Sequence, residues 1–166
     1  MRRRYSMEKF MERIERLQSH LDRPAFSNDV IVGFPGETDE EFEETLEACR
    51  RIGFMKIHIF PFSARRGTPA ASFPDQISAP LKKERCDRLA LLERELATSF
   101  YAKFVGQPLE VLVEQPVPGK LGTFTGTDRR YIPVQIEATP EEVGHLVMAQ
   151  GGAVERDYLT ARRLPQ

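Results

Sequence analysis

Apolar residues recur at spacings of three and four along the first stretch of the chain: Met7, Phe10, Met11, Ile14, Leu17 and Leu21. That spacing lines one side of an α-helix, which Pro24 ends. Val30, Ile31 and Val32 then form an unbroken β-branched run, the mark of a strand covered on both faces in a parallel sheet. Gly33, Pro35 and Gly36 stop it, because glycine accepts backbone angles barred to other residues and proline withholds an N–H. Thr38 with Glu41 three residues on is a capping-box signature, and Phe42, Leu46 and Cys49 follow at helical spacing. A second strand, Lys56 to Phe60, alternates, so His58 faces away from Ile57 and Ile59. Its exit loop spans residues 61–68. From Ala79 a long helix is predicted to about Phe104, with Leu81, Leu89, Leu92, Leu96 and Phe100 as its stripe.

Gly106-Gln-Pro108 changes the period from helical to two. Leu109, Val111 and Val113 alternate with Glu110, Leu112 and Glu114, and Pro118-Gly119-Lys120 turns the chain. Further strands are predicted near 121–125, 131–137 and 146–150, with Gly151-Gly152 turning into a last strand over 154–164. Five short strands in about 60 residues predict a small closed or nearly closed β-barrel of the OB type. The fold class is therefore α/β followed by all-β, with domains over 1–105 and 106–166.

Composition adds limits. The chain has 166 residues, 40% of them apolar, and a formal net charge of −1, which gives no whole-chain case for nucleic acid or membrane binding. No apolar run approaches the roughly 20 residues that span a bilayer. Cys49 and Cys86 stand far apart with no CxxC spacing, which suits a reducing cytoplasm and excludes a local cysteine metal knuckle. Cys49 lies on its helix's apolar stripe and reads as a buried small hydrophobe.

Candidate chemistry gathers in the loops after the two strands, where parallel α/β architectures place their sites. A glycine-rich loop before a helix often cradles phosphate, yet the acids Glu37, Asp39, Glu40 and Glu41 already complement the helix dipole and repel an anion. GxxxxGK[ST] and GxGxxG are absent, so a nucleotide phosphate loop is not expected. Turn geometry alone remains an alternative reading of Gly33 and Gly36. His58 is open to two readings, a lumen-facing group or a hydrogen-bonded core residue. Arg2, Arg3 and Arg4 read as a solvated lead-in to the first helix, with RNA contact as the alternative. In residues 106–166 six basic residues face eight acidic ones, short of a strongly basic footprint. Lys120, Arg129, Arg130 and Tyr131 fall near two predicted turns with Phe124 close by, a pairing of cations and aromatics that suits RNA. They read equally well as barrel surface.

Asp29-Val-Ile-Val-Gly-Phe-Pro-Gly-Glu-Thr38, followed by His58-Ile-Phe-Pro-Phe-Ser-Ala-Arg-Arg-Gly-Thr-Pro-Ala-Ala71, resembles the radical-SAM methylthiotransferases. The opening Met1-Arg-Arg-Arg-Tyr-Ser6, with His58 in its strand, is most similar to the branch acting on threonylcarbamoyladenosine. Gly122-Thr-Phe-Thr125 and Tyr131-Ile-Pro-Val134 resemble that family's C-terminal TRAM domain, an RNA-binding barrel. The resemblance implies the C-terminal portion of a radical-SAM (β/α) partial barrel plus a TRAM domain. It also implies an enzyme that adds a methylthio group to C2 of modified adenosine 37 of tRNA, using S-adenosylmethionine and [4Fe–4S] clusters.

Carried over by position, Val32, Gly33, Phe34, Pro35, Gly36 and Glu37 lie near S-adenosylmethionine. His58, Phe60, Phe62, Ser63 and Arg65 face its adenosine moiety or the substrate. Lys120, Phe124, Arg129, Arg130 and Tyr131 are the RNA-binding candidates, the anticodon region of tRNA being the partner. Phe62 stands where the family usually has Tyr, and Ala64 where it usually has Pro, which removes a hydroxyl and a loop restraint. The family's CxxxCxxC and its auxiliary-cluster cysteines have no counterpart here. No metal ligand or catalytic residue is therefore assigned, no cofactor is expected to be held stably, and the chain alone is expected to be inactive. A first helix with no strand before it reads as a barrel begun in mid-turn. Two other readings are a stand-alone TRAM-containing RNA-binding or accessory protein, and a non-functional remnant with an exposed barrel edge.

Overall fold

The computed structural model describes residues 6–165, so Arg2, Arg3 and Arg4 lie outside the described residues. The chain gathers into two compact units, Met1–Leu96 and Ala97–Gln166, dividing inside the long helix.

In the first unit, α1 (Met7–His20) starts at Ser6, whose side chain accepts from the Lys9 N–H at 3.3 Å. β1 (Ser27–Val32) pairs in parallel with β2 (Lys56–Pro61). Between them runs α2 (Asp39–Ile52), which carries the full capping box of Thr38 and Glu41 and ends on Gly53 at φ 71°. Left-handed backbone there is cheap only for glycine. α3 (Ala79–Ala102) follows a short 3₁₀ turn at Pro69–Ser72. One face of the β1–β2 ribbon packs on Phe42, Leu46, Cys49, Ile52, Leu89 and Leu92, with Ile57 and Val32 as its own buried members and Val30 and Ile59 against them. The pleat sends Asp29 and Ile31 of β1, with His58 and Phe60 of β2, to the opposite face, where His58 is exposed and Phe60 keeps 51% of its surface.

The second unit is a closed five-stranded barrel in the order β3-β4-β5-β7-β6. The strands are β3 (Pro108–Pro116), β4 (Thr123–Asp128), β5 (Pro133–Glu137), β6 (Leu146–Val154) and β7 (Leu159–Arg163). All pairs are antiparallel except β5 with β7. Leu109, Val111 and Val113 point inward as their alternation predicts, joined by Phe124, Val134, Ile136, Ala149 and Leu159.

Two local expectations are corrected. Gly151-Gly152 is not a turn: β6 runs through it to Val154, and the chain reverses at 155–158. The glycines serve close approach instead, since a Cβ on Gly151 would collide with the Phe104 carbonyl and one on Gly152 with the Thr160 hydroxyl. Tyr131 does not open a strand. It sits at φ 62° in a tight turn, and β5 begins at Pro133.

Candidate cofactor loops and nucleic-acid interface

Both loops leave the C-terminal ends of parallel neighbours, Val32 standing opposite Pro61. The structure joins them by backbone and by rings. The Phe62 N–H donates to the Val32 carbonyl at 2.7 Å, and the Phe34 and Phe62 rings meet edge to face at 5.2 Å. Gly33 and Gly36 adopt φ 75° and 83°, which lets the chain fold back on itself within residues 33–37. That fold is closed internally: the Gly33 N–H donates to Glu37 Oε2 at 2.9 Å, and the Glu37 N–H to the Phe34 carbonyl at 2.9 Å. Glu37 thus turns inward toward its own loop. Val32, 1% exposed, is core beneath it. Pro35 is half-buried, while Ser63 and Arg65 are exposed on the second loop. His58 and Phe60 share the open sheet face with Asp29, the cross-strand partner of His58.

Several residues at this site escaped sequence reasoning. Gly36 N–H donates to the Asp75 carbonyl at 3.0 Å, and Phe73 packs edge-on to Phe34 at 6.2 Å, so residues 73–75 form a third side. From α3, Lys82 Nζ donates to the Phe62 carbonyl at 3.0 Å, and its stem lies where a Gly33 side chain would go. Arg85, 2% exposed, donates through Nη1 to the Glu37 carbonyl (3.1 Å) and Oε2 (2.7 Å), and through Nη2 to Asp39 Oδ1 (2.6 Å). Burial alone pulls the pKa of this guanidinium down, but the bonds and charges of Asp39 and Glu37 outweigh it and hold it above its ordinary value. A signal for Arg85 existed: it falls at the helical spacing between Leu81 and Leu89, a charge set into an apolar stripe.

The cysteines do not fit a cluster site. Among the described residues no group of three or more His, Cys, Asp or Glu stands placed to hold a metal ion. Cys49 is buried in the α2 core, and desolvation pushes its thiol up to about 11. Cys86 is raised by burial and by Asp87 and Glu37, against the pull of Lys82 and Lys83. Both thiols are therefore protonated and poor nucleophiles at neutral pH. A thiol reagent at pH 7 is expected to label the half-buried Cys86 slowly, and Cys49 only as the first unit unfolds. Mass spectrometry of timed samples checks this. Because Cys49 is neutral in the fold and ionises near 9 once unfolded, stability is expected to fall as pH rises from about 9 to about 11.

On the barrel, Arg129 and Tyr131 come together beside a groove of about 330 Å³ whose other lining includes Leu112, Leu146, Glu110 and Glu114. Tyr131 is 79% exposed. Its turn is held by Asp128, itself 3% exposed, whose Oδ1 accepts from the N–H groups of Arg130 (2.8 Å) and Ile132 (3.0 Å). Lys120 is exposed but lies elsewhere, bonded to Gln135 Oε1 at 3.0 Å and over the Tyr158 ring. Two other candidates turn inward. Phe124 is 5% exposed in the barrel core, and the Arg130 guanidinium rests 4.7 Å from the Phe104 ring centre.

Residues 1–49 match the model of the radical SAM superfamily. Over 149 residues the chain is 38% identical to a threonylcarbamoyladenosine tRNA methylthiotransferase of Bacillus subtilis, covering 89% of this chain and 33% of that protein. It is 39% identical over 147 residues to a tRNA-2-methylthio-N(6)-dimethylallyladenosine synthase of Syntrophotalea carbinolica, covering 89% and 34%. The chain is thus similar, over most of its length, to a tRNA methylthiotransferase. A synthase of the same name from Mycobacteroides abscessus is 42% identical over 113 residues, covering 68% of this chain and 22% of that protein. The chain spans about a third of the length of the first two relatives. No helix among the described residues is long and apolar enough to cross a membrane.

Proposed function

We propose that this chain supplies the late strands of a radical-SAM barrel and a TRAM-type, OB-like RNA-binding barrel to a tRNA methylthiotransferase. In this reading the domain boundary falls near residue 105, past the last turns of α3 that cluster with the barrel. The reaction is transfer of a methylthio group to C2 of adenosine 37 in the anticodon region, N6-threonylcarbamoyladenosine being the favoured nucleoside, in the cytoplasm. The observation that carries the reading is the joining of two family-like loops at the same end of β1 and β2, in a chain aligned over 89% of its length with such enzymes. An uncovered Phe60 on a parallel ribbon supports it too, since parallel sheets are ordinarily dry on both faces.

S-Adenosylmethionine supplies the radical chemistry when bound beside a reduced iron–sulfur cluster. Residues 33–37, with Phe62 and Ser63, would hold its adenosyl portion against the aromatic edge of Phe34, and His58 and Phe60 face the same space. The cluster itself does not fit the described residues, so the chain alone is expected to show no methylthiotransferase activity. Anaerobic iron–sulfide reconstitution tests this: a stable [4Fe–4S] spectrum from this chain overturns it.

The barrel is proposed to bind tRNA through Arg129, Tyr131 and Lys120, and a stand-alone RNA-binding role is the second reading, favoured by the barrel's being a compact unit in its own right. With the two cations as phosphate contacts, tRNA affinity is expected to fall roughly tenfold between about 50 and about 200 mM salt. Fluorescence anisotropy with labelled tRNA measures it. Affinity indifferent to salt, and to Arg129→Ala, would refute phosphate contact.

A further inference from the structure

Helix α3 reaches both loops. Lys82 and Arg85 stand three residues apart, on one side of the helix. Lys82 closes on the Phe62 carbonyl and covers Gly33, while Arg85 joins the Glu37 carboxylate and carbonyl to Asp39. The Glu37 carboxylate in turn accepts from the Gly33 N–H. A chain of direct bonds therefore runs from α3 through Glu37 to the first residue of the loop, and a second runs from α3 to the start of the other loop. A guanidinium suits this task because its planar fork serves several acceptors at once, which an ammonium does not.

Burial of this cation is costly unless it is paired; two carboxylates and a carbonyl pair its Nη1 and Nη2, while Nε is buried without a hydrogen-bond partner among the described residues. All three acceptors belong to Glu37 and Asp39, at the end of the loop and the start of α2. The arrangement instead fixes the shape of residues 33–37 before any ligand arrives, which spares the ordering cost on binding.

We propose that Arg85, seconded by Lys82, is a positioning residue: it holds residues 33–37 and the Phe62 end of β2 as one preformed surface for the adenosine portion of the ligand. This rests on the reading of those loops as the cofactor loops. The experiment compares the wild-type chain with Arg85→Met, Arg85→Lys and the neighbouring Arg88→Ala, using S-adenosylhomocysteine as probe. Amide NMR follows the shifts of residues 33–37 and 62–65 and the hydrogen exchange of Gly33, and thermal melting follows stability. Arg85→Lys keeps the charge and guards against a misfolded Arg85→Met.

Arg85→Lys is expected to melt near wild type yet exchange Gly33 about tenfold faster or more, and to bind the probe about tenfold more weakly. Arg88→Ala, which loses a surface pair with Glu43, is expected to change neither. Probe shifts that survive Arg85→Lys at wild-type affinity overturn the inference. If the wild-type loops show no probe shift, the cofactor-loop reading falls on its own. The positioning inference then stands or falls on exchange, where equal Gly33 rates in wild type and Arg85→Lys overturn it.

Discussion

Gly151→Ala is expected to destabilise the barrel by about 4 kcal/mol, with part of that from strained packing and part from weakened backbone bonds. At Gly151, β6 lies directly on the chain leaving α3. The Gly106 N–H donates to the Gly151 carbonyl at 2.8 Å, and the Gly151 N–H donates to the Gln107 carbonyl at 2.9 Å. A methyl group there would meet the Phe104 carbonyl group and, at 3.2 Å, Leu159 Cδ2. A side chain can swing aside; a carbonyl tethered by its neighbours' hydrogen bonds cannot. A loss of that size consumes much of the roughly 5–15 kcal/mol that a domain commands. Gly152→Ala makes the contrast, because its obstacle is first the Thr160 hydroxyl, which bonds the Ala153 N–H at 2.8 Å. Its expected cost is about 1 kcal/mol, the worth of one weakened hydrogen bond. Guanidinium melts followed by tyrosine fluorescence distinguish the two, and a Gly151→Ala midpoint within error of wild type would refute the close-approach account.

Asp128→Ala is expected to lose about 3 kcal/mol and, separately, to weaken tRNA binding about tenfold. The stability loss follows from two N–H groups, Arg130 and the buried Ile132, left without the Oδ1 acceptor they share. Desolvated donors without partners cost far more than an average hydrogen bond is worth. The binding loss follows from Tyr131. A bulky residue at φ 62° persists only where its surroundings impose that conformation, and Asp128 is what imposes it. Freed of the turn, the ring no longer stands beside Arg129 and the groove. Asp128→Asn keeps an acceptor at Oδ1, so it is expected to retain most of both properties. Chemical denaturation and a tRNA titration on the same three proteins decide the matter. Asp128→Ala binding tRNA as well as wild type would remove Tyr131 from the interface.

What the residues disclosed depended on how local the physics was. The start and buried face of α2 were readable, because capping box and apolar spacing lie within one short segment and agree, whereas its end at Gly53 came from the structure. The inward set of β3 was readable for the same reason. Gly151-Gly152 misled because glycine answers two needs, a reversal or a close approach, and only the distant Phe104 and Thr160 decide between them. Phe124 and Arg130 stood with Lys120, Arg129 and Tyr131 as a group of cations and aromatics suited to RNA or to plain barrel surface. Barrel closure instead turns the ring inward and brings Phe104 to the guanidinium, a contact between residues 26 apart. The loops over 33–37 and 61–68 were legible as candidates, but their clamp was not. Arg85 lies 48 positions from Glu37, and only its intrusion on a leucine stripe hinted at a buried partner.

Barrel closure also orders events in time. β1 and β2 join across a single intervening helix, whereas β3 must find β6 with Pro108 opposite Gln150. Closing so wide a loop sacrifices chain entropy before any contact repays it, and topologies rich in such pairings fold slowly. The ribbon beneath the loops can thus assemble early, while the barrel is the step that makes this chain wait.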